Sequence, residues 1–209
     1  INGRGTEGRR VMEPLYTRDI LRLAVSIPHQ QRLENPDGCA EVRSRTCGSV
    51  VSADVIVAGD GSLTDLGLSI NACALGQASA SILAAEAIGR SASDITRARA
   101  GLKSFFDGLA SSPGAWTNIE KLSAAKDHKG RHPAILLPYD ALIAGISADQ
   151  QRRNDPRIFR NRYHSLAVHR WPGAGAGTTD ALAEGDLRAW FEPGGIVRNC
   201  TISAGCSDN

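Results

Sequence analysis

Two cysteines stand where strand-like segments end, and their thiols are the groups in this chain best suited to chemistry. Cys47 lies in Thr-Cys-Gly-Ser, and Cys73 lies in Asn-Ala-Cys-Ala-Leu, directly before an Ala- and Ser-rich helical stretch. Backbone N–H groups at a helix N-terminus lack partners and carry the positive end of the helix dipole. That setting favours a thiolate, the form that binds metal, accepts sulfur or attacks an electrophile. Two thiols at one end of a small sheet would form a two-sulfur site.

The segments around the two cysteines predict a small sheet. β-branched or alternating residues predict strands over 40–46, 50–57 and 66–72, and the Gly-Asp-Gly sequence at 59–61 predicts a hairpin turn. The hypothesis is that the three strands form an antiparallel layer with both thiols at one accessible end.

Apolar residues at helical spacing predict helices on either side of these strands. One helix precedes them and ends at Pro28, and others follow over 74–88, after Ser91, after Ser112 and over 134–146. The sequence from Ser91 to Asp94 is typical of a capping box. Helix, three strands and then several helices indicate an α+β fold, with a three-stranded antiparallel sheet and helices packed on one face.

Composition and charge exclude some classes of protein. The 209 residues carry a net charge of +2, which gives no strong case for nucleic acid as a partner. No apolar run approaches the roughly 18 residues of a membrane-spanning helix, and the N-terminus lacks the apolar core of a secretory signal. We therefore expect a cytoplasmic protein without a membrane partner. In that compartment five cysteines suggest thiol or metal chemistry more than disulfides.

The composition also divides the chain into three parts. Residues 1–11 are rich in Gly and Arg and are predicted to be a disordered leader, with the chain proper starting at Met12. Residues 12–147 are predicted to form one globular domain. Residues 148–209 form a basic, Gly-rich tail that is predicted to be disordered or weakly ordered. Its arginines leave open a nucleic-acid-binding arm, although a solvated tail fits the scarcity of aromatic residues better.

The motifs, in this order, resemble the U-type iron–sulfur cluster assembly scaffolds. These are the Isc- and Suf-type scaffolds and the N-terminal domain of the Nif type. The resemblance covers about residues 14 to 146. The matching stretches lie at 15–21, 35–37, 46–48, 72–74, 78–81 and 135–138.

The resemblance implies a ligand set of three cysteines and one aspartate, of which this chain keeps part. Cys47 and Cys73 match two of the cysteines and are the implied cluster ligands. Ser49 stands at the aspartate position and Pro133 at the third cysteine position. His132, beside Pro133, is the implied third metal ligand, although three protein groups hold a metal more weakly than four. Cys39 is a further thiol near the first strand, outside the family pattern.

The function implied by the resemblance is that of a scaffold or carrier rather than an enzyme. Such a protein receives sulfur from a cysteine desulfurase, binds iron or zinc through thiolates, and passes a labile iron–sulfur cluster, for example 2Fe-2S, to client apo-proteins. One alternative is a degenerate scaffold fold that binds the assembly machinery without carrying a cluster. A third interpretation is a nucleic-acid binder that uses the basic tail.

Overall fold

Residues 15–154 and the backbone of 196–199 are described by the structure, a computed structural model. The elements follow in the order α1 (Arg18–Val25), β1 (Gly38–Arg43), β2 (Val50–Val57), β3 (Leu63–Asn71), α2 (Ala74–Glu86), α3 (Ala92–Phe106), two 3₁₀ helices (Ile119–Ala125 and Lys129–Arg131), α4 (His132–Asn154) and β4 (Ile196–Asn199). This order confirms the predicted α+β fold. Within the described residues, no helix is long and apolar enough to span a bilayer.

The sheet is antiparallel, with strand order β3-β2-β1-β4. Alternate residues of β2, from Val51 to Val57, are buried and form one layer of the apolar core. Helix α4 packs on β1 and β2. The approach is close because residue 38 is glycine: a Cβ there would collide with the carbonyl oxygen of Gly145. The absence of a side chain at Gly38 therefore permits the close approach of α4 to the sheet.

The opposite face of the sheet carries an ion pair between a buried carboxylate and an exposed arginine. The side chain of Asp54 on β2 is fully buried, and Arg32 donates to it from Nε (2.5 Å) and Nη2 (2.7 Å). The backbone N–H of Leu33 donates to the same carboxylate at 3.1 Å. The backbone N–H of Leu68 on β3 donates to the carbonyl of His29 at 2.8 Å. The segment around 29–33 therefore lies along β3.

Helix α4 is longer than predicted. The sequence predicted a helix over 134–146, whereas α4 runs from His132 to Asn154 and contains the predicted domain boundary at 147. Arg153 holds the added turns in place, since its Nη2 donates to the carbonyl of Val57 (2.6 Å) and its Nε donates to Asp149 (2.9 Å). The extension thus depends on contacts with the sheet and not only on periodicity within the helix.

The structure differs from the sequence prediction in two further segments, one after Ser112 and one in the predicted tail. The helix predicted after Ser112 is wrong as an α-helix, because Gly114 and Asn118 have positive φ and the segment forms a 3₁₀ helix over Ile119–Ala125 instead. Strand β4 comes from the predicted tail and pairs with β1, which the sequence did not predict. The predicted leader (1–11) and the rest of the predicted tail (155–195 and 200–209) lie outside the described residues.

Candidate functional site

The sheet register brings the two predicted thiols to the same end of the sheet. Arg43 pairs with Val50, and Val50 pairs with Asn71. The loop that carries Cys47 and the junction that carries Cys73 therefore leave the sheet side by side. We call this end the thiol end.

A tight loop holds Cys47. The backbone N–H of Ser44 donates to the carbonyl of Ser49 (2.9 Å), and the N–H of Gly48 donates to the carbonyl of Ser44 (3.0 Å). Gly48 has φ +72°, a conformation that glycine adopts without steric cost. The loop therefore turns within a few residues and leaves the Cys47 side chain between the two serines.

The two serine hydroxyls face the sulfur of Cys47. Its Sγ lies 3.3 Å from Oγ of Ser44 and 3.1 Å from Oγ of Ser49, and both serines are buried. A thiol has one hydrogen and can donate to only one of the two oxygens at a time. A thiolate accepts a hydrogen bond from both hydroxyls. The arrangement therefore suits the ionised sulfur better than the neutral thiol.

The electrostatic surroundings agree with this geometry. Partial burial of the Cys47 thiol raises its pKa, but several groups together outweigh that effect. These are the hydroxyls of Ser44 and Ser49, the backbone N–H of Ser49 and the positive charge of Arg131, and they place the pKa of Cys47 below its ordinary value. A lowered pKa makes more of the nucleophilic thiolate available near neutral pH.

Cys73 is the N-cap of α2, as the sequence predicted. Its backbone is extended (φ −65°, ψ 164°), its side chain makes no capping hydrogen bond, and it is half-buried. Helices α1 and α3, in contrast, are capped by the side chains of Thr17 and Ser91. The α2 N-terminus thus keeps backbone donors without a side-chain cap beside a sulfur.

Helix α4 begins next to α2. The Oγ of Ser79 on α2 donates to the carbonyl of Ile135 at 2.6 Å. A Cβ at Gly76 would lie only 2.9 Å from the carbonyl oxygen of Ala134, so the two backbones touch there. The start of α4, with Arg131 just before it, therefore belongs to the thiol end.

His132 makes structural contacts. Its Nε2 lies 2.9 Å from the carbonyl oxygen of Ala125 and 3.1 Å from that of Lys126, and its ring stacks on Phe106 with centroids 4.2 Å apart. Because both oxygens are acceptors, Nε2 carries the hydrogen, and only Nδ1 keeps a lone pair for a metal. The ligand role of His132 stays a prediction.

The remaining predicted positions add little metal-binding capacity. The hydroxyl of Ser49 contacts the sulfur of Cys47, and Cys39 is buried in β1. Pro133 lies in the first turn of α4 and has no side-chain group that could bind a metal. Among residues 15–154, no group of three or more His, Cys, Asp or Glu side chains is arranged to hold a metal ion.

Sequence reasoning missed two contributors, Ser44 and Arg131. Ser44 stands three residues before Cys47, a spacing that places both on one loop once Gly48 turns the chain. Arg131 adjoins His132 in sequence, but it lies far along the chain from Cys47, so the sequence did not indicate that its charge lowers the pKa of Cys47.

The fold resembles solved structures. The N-terminal part of a nitrogen-fixing NifU-like protein from Brucella abortus is 31% identical, and the match covers 66% of this chain and 96% of that one, with a TM-score of 0.63. A putative iron–sulfur cluster assembly scaffold protein for the SUF system from Fervidobacterium islandicum AW-1 shares the fold at 19% identity, with coverage of 63% and 96% and a TM-score of 0.58. The sequence matches no protein-family profile and no curated protein.

Proposed function

Because this chain belongs to the U-type iron–sulfur cluster scaffold family, we propose that it accepts sulfur on Cys47 and holds iron or a cluster transiently at its thiol end. The observation that carries the proposal is the pair of hydroxyls on the Cys47 sulfur, at 3.1 and 3.3 Å. These hydroxyls stabilise a thiolate before any reaction partner arrives.

The sulfur-transfer step is a thiol–persulfide exchange. The thiolate of Cys47 attacks the outer sulfur of a cysteine persulfide on a desulfurase, and a new S–S bond forms as the old one breaks. The desulfurase cysteine leaves as a thiolate, and Cys47 becomes the persulfide, so no net oxidation or reduction occurs. The hydroxyls of Ser44 and Ser49, with Arg131 nearby, offset the negative charge of the attacking sulfur.

Cys73 provides the second sulfur. Thiolates are soft ligands that suit iron, iron–sulfur clusters and zinc. Two thiolates fall short of the four ligands of a closed site, so an external ligand or a partner's side chain completes the coordination. We propose that the shortage makes the cargo labile, which favours its transfer to client apo-proteins. The protein is then a carrier rather than an enzyme, and the reducing cytoplasm keeps its thiols available.

The first test is persulfide transfer. The full chain, Cys47→Ser and Cys73→Ser are incubated anaerobically with a cysteine desulfurase and free cysteine, and the sulfur added to each protein is measured by intact mass and peptide mapping. We expect one added sulfur on Cys47 in the wild type and in Cys73→Ser, and none in Cys47→Ser. Cys39→Ser is the matched control, because Cys39 lies in β1 away from the thiol end, and it should load like the wild type. Loading of Cys47→Ser to the wild-type level would contradict the proposal.

The second test is reconstitution with iron and sulfide under anaerobic conditions. We expect charge-transfer absorption in the wild type and its loss in both Cys47→Ser and Cys73→Ser. Added small thiols should prolong the absorption if an external ligand completes the site.

A binding module without cargo is the second candidate. It is favoured by the lack of a three-ligand group among residues 15–154. In that case all variants bind the desulfurase equally in a pull-down, but none gains sulfur or absorption.

A further inference from the structure

The two edges of the sheet are covered in different ways. At the β3 edge, the cover is the nearby segment around 29–33, which Arg32 fixes in place through its ion pair with the buried carboxylate of Asp54. At the β1 edge, the cover is β4, a four-residue strand that follows α4 in the chain only after residues 155–195. The β1 edge therefore depends on a distant segment for its pairing.

An uncovered β1 would be a ready template for another strand. An edge strand presents a row of unpaired N–H and C=O groups to whatever extended chain approaches. Gly38, Ala40 and Val42 are buried, and Glu41 and Arg43 form an ion pair on the opposite face, with 4.0 Å between Arg43 Nη2 and Glu41 Oε1. The strand therefore carries one acid and one base, two residues apart, on its solvent-facing side.

At equivalent pairing positions, β4 carries residues similar to those that β1 of a second copy would place there. Val197 pairs with Val42, Arg198 with Glu41, and Asn199 with Ala40. If a second copy of β1 paired antiparallel about its own Val42, its Val42, Arg43 and Ser44 would take these same three positions. Val-Arg-Asn in β4 thus corresponds to Val-Arg-Ser in β1.

We propose that the β1 edge is a docking surface for a second copy of this chain, and that β4 occupies it within the same chain. The dimer is isologous, with Val42 on the two-fold axis and Glu41 of each copy opposite Arg43 of the other. The two Cys47 loops then leave the joint sheet in opposite directions. Both thiol ends stay accessible, so this inference does not rest on the sulfur chemistry.

Attachment within one chain explains why β4, rather than a second copy, pairs with the β1 edge. Because β4 belongs to the same chain, its pairing with β1 is intramolecular and does not depend on the protein concentration. A second copy must instead be recruited from solution, and it loses translational and rotational freedom when it binds. The full chain is therefore monomeric, and weakening β4 releases the edge.

The experiment uses the full chain with Val197→Pro and Arg198→Pro together. Of two consecutive strand residues, one directs its N–H toward β1, so the two prolines remove a donor from the β1–β4 pairing whichever residue it is. The control, Val197→Ala with Arg198→Ala, keeps both N–H groups. Light scattering after size-exclusion chromatography, from low to high micromolar protein, should give monomers for the wild type and the control, and a concentration-dependent dimer for the proline variant.

Charge reversal then identifies the interface. In the proline variant, adding Glu41→Arg places like charges opposite each other, and the dimer should dissociate. Adding Arg43→Glu as well restores opposite charges across the axis, and the dimer should return. Hydrogen exchange of the β1 amides should be faster than in the wild type when the proline variant is dilute, and slower again when it dimerises.

Three results would overturn the proposal. The first is a proline variant that stays monomeric at every concentration. The second is a dimer that is indifferent to the charge reversals. The third is a set of β1 amides that exchange no faster after the prolines are introduced, since β4 would then not cover this edge in solution.

Discussion

The two ends of the sheet use their polar groups for different purposes. At the end opposite the thiols, Asp37 and Asp149 are paired with arginines near the end of α4. Asp37 directly precedes β1, so its pairs fasten the helix to the sheet, whereas the Asp149 pair lies within α4. At the thiol end, the buried hydroxyls of Ser44 and Ser49 face a sulfur instead of closing a structural network. Substitutions at the first end should therefore change stability, and substitutions at the second should change reactivity.

The largest expected effect is on stability, from Arg153→Ala. This change leaves the carboxylate of Asp149, which is 2% exposed, without its charged partner and frees the carbonyl of Val57. We expect the free energy of unfolding in urea to fall by about 2 kcal/mol, the cost of losing hydrogen bonds to a charged group. Alkylation of Cys47 should not change.

Arg152→Ala is the matched control, because its contact with Asp37 is a half-exposed ion pair of 3.7 Å. Such pairs contribute about 0–1 kcal/mol. If both alanine variants lost the same stability, the anchoring role of Arg153 would be wrong.

His132→Ala tests a residue that makes structural contacts but is also the predicted third metal ligand. It removes the hydrogen bond to Ala125 and the stacking on Phe106, so unfolding should become easier by roughly 1–2 kcal/mol. Sulfur loading of Cys47 should be kept in the folded protein. A variant of unchanged stability that loses iron-dependent absorption would instead make His132 a ligand, through Nδ1.

Ser44→Ala together with Ser49→Ala tests reactivity directly. Without the two hydroxyls, the pKa of Cys47 should rise, and alkylation by iodoacetamide at neutral pH should slow on the order of tenfold, as expected for losing about one net hydrogen bond. The pH–rate curve should move to higher pH, because the thiolate is the reactive form. Equal rates at high pH would show that the loop still folds, and an unmoved curve would contradict the role of the serines.

Arg131→Gln should give the smallest effect. Removing its charge should also raise the pKa of Cys47, and alkylation should slow by about two- to threefold at low salt. The difference from the wild type should shrink as salt increases, because salt screens exposed charges. Lys129→Gln, two residues away, is the control.

Local patterns in the sequence predicted much of the fold. The strand over Val50–Val57 and the capping box at Ser91 depend on neighbouring residues, and both are confirmed. The position of Cys47 and Cys73 at one end follows from the antiparallel order of three strands with short connections. These features need no knowledge of distant contacts.

Distant contacts explain what the sequence did not show. The added turns of α4 depend on Arg153 reaching Val57, and β4 depends on pairing with β1 across most of the chain. The contacts of His132 depend on the 3₁₀ helix that ends at Ala125, because the ring reaches the carbonyl oxygens at the end of that helix. The hydroxyl contacts of Cys47 depend on the positive φ of Gly48, a torsion that glycine permits but does not require.

Gly76 allows the starts of α2 and α4 to lie close together at the thiol end. It lies where α2 and α4 touch backbone to backbone, with the carbonyl oxygen of Ala134 and the Cβ of Ala72 each 2.9 Å from where its own Cβ would be. A methyl group at residue 76 would act as a wedge between the two helix starts and would displace Cys73 relative to Cys47. The relative position of the two sulfurs, on which the proposed sharing of a cargo depends, thus relies on a residue that has no side chain.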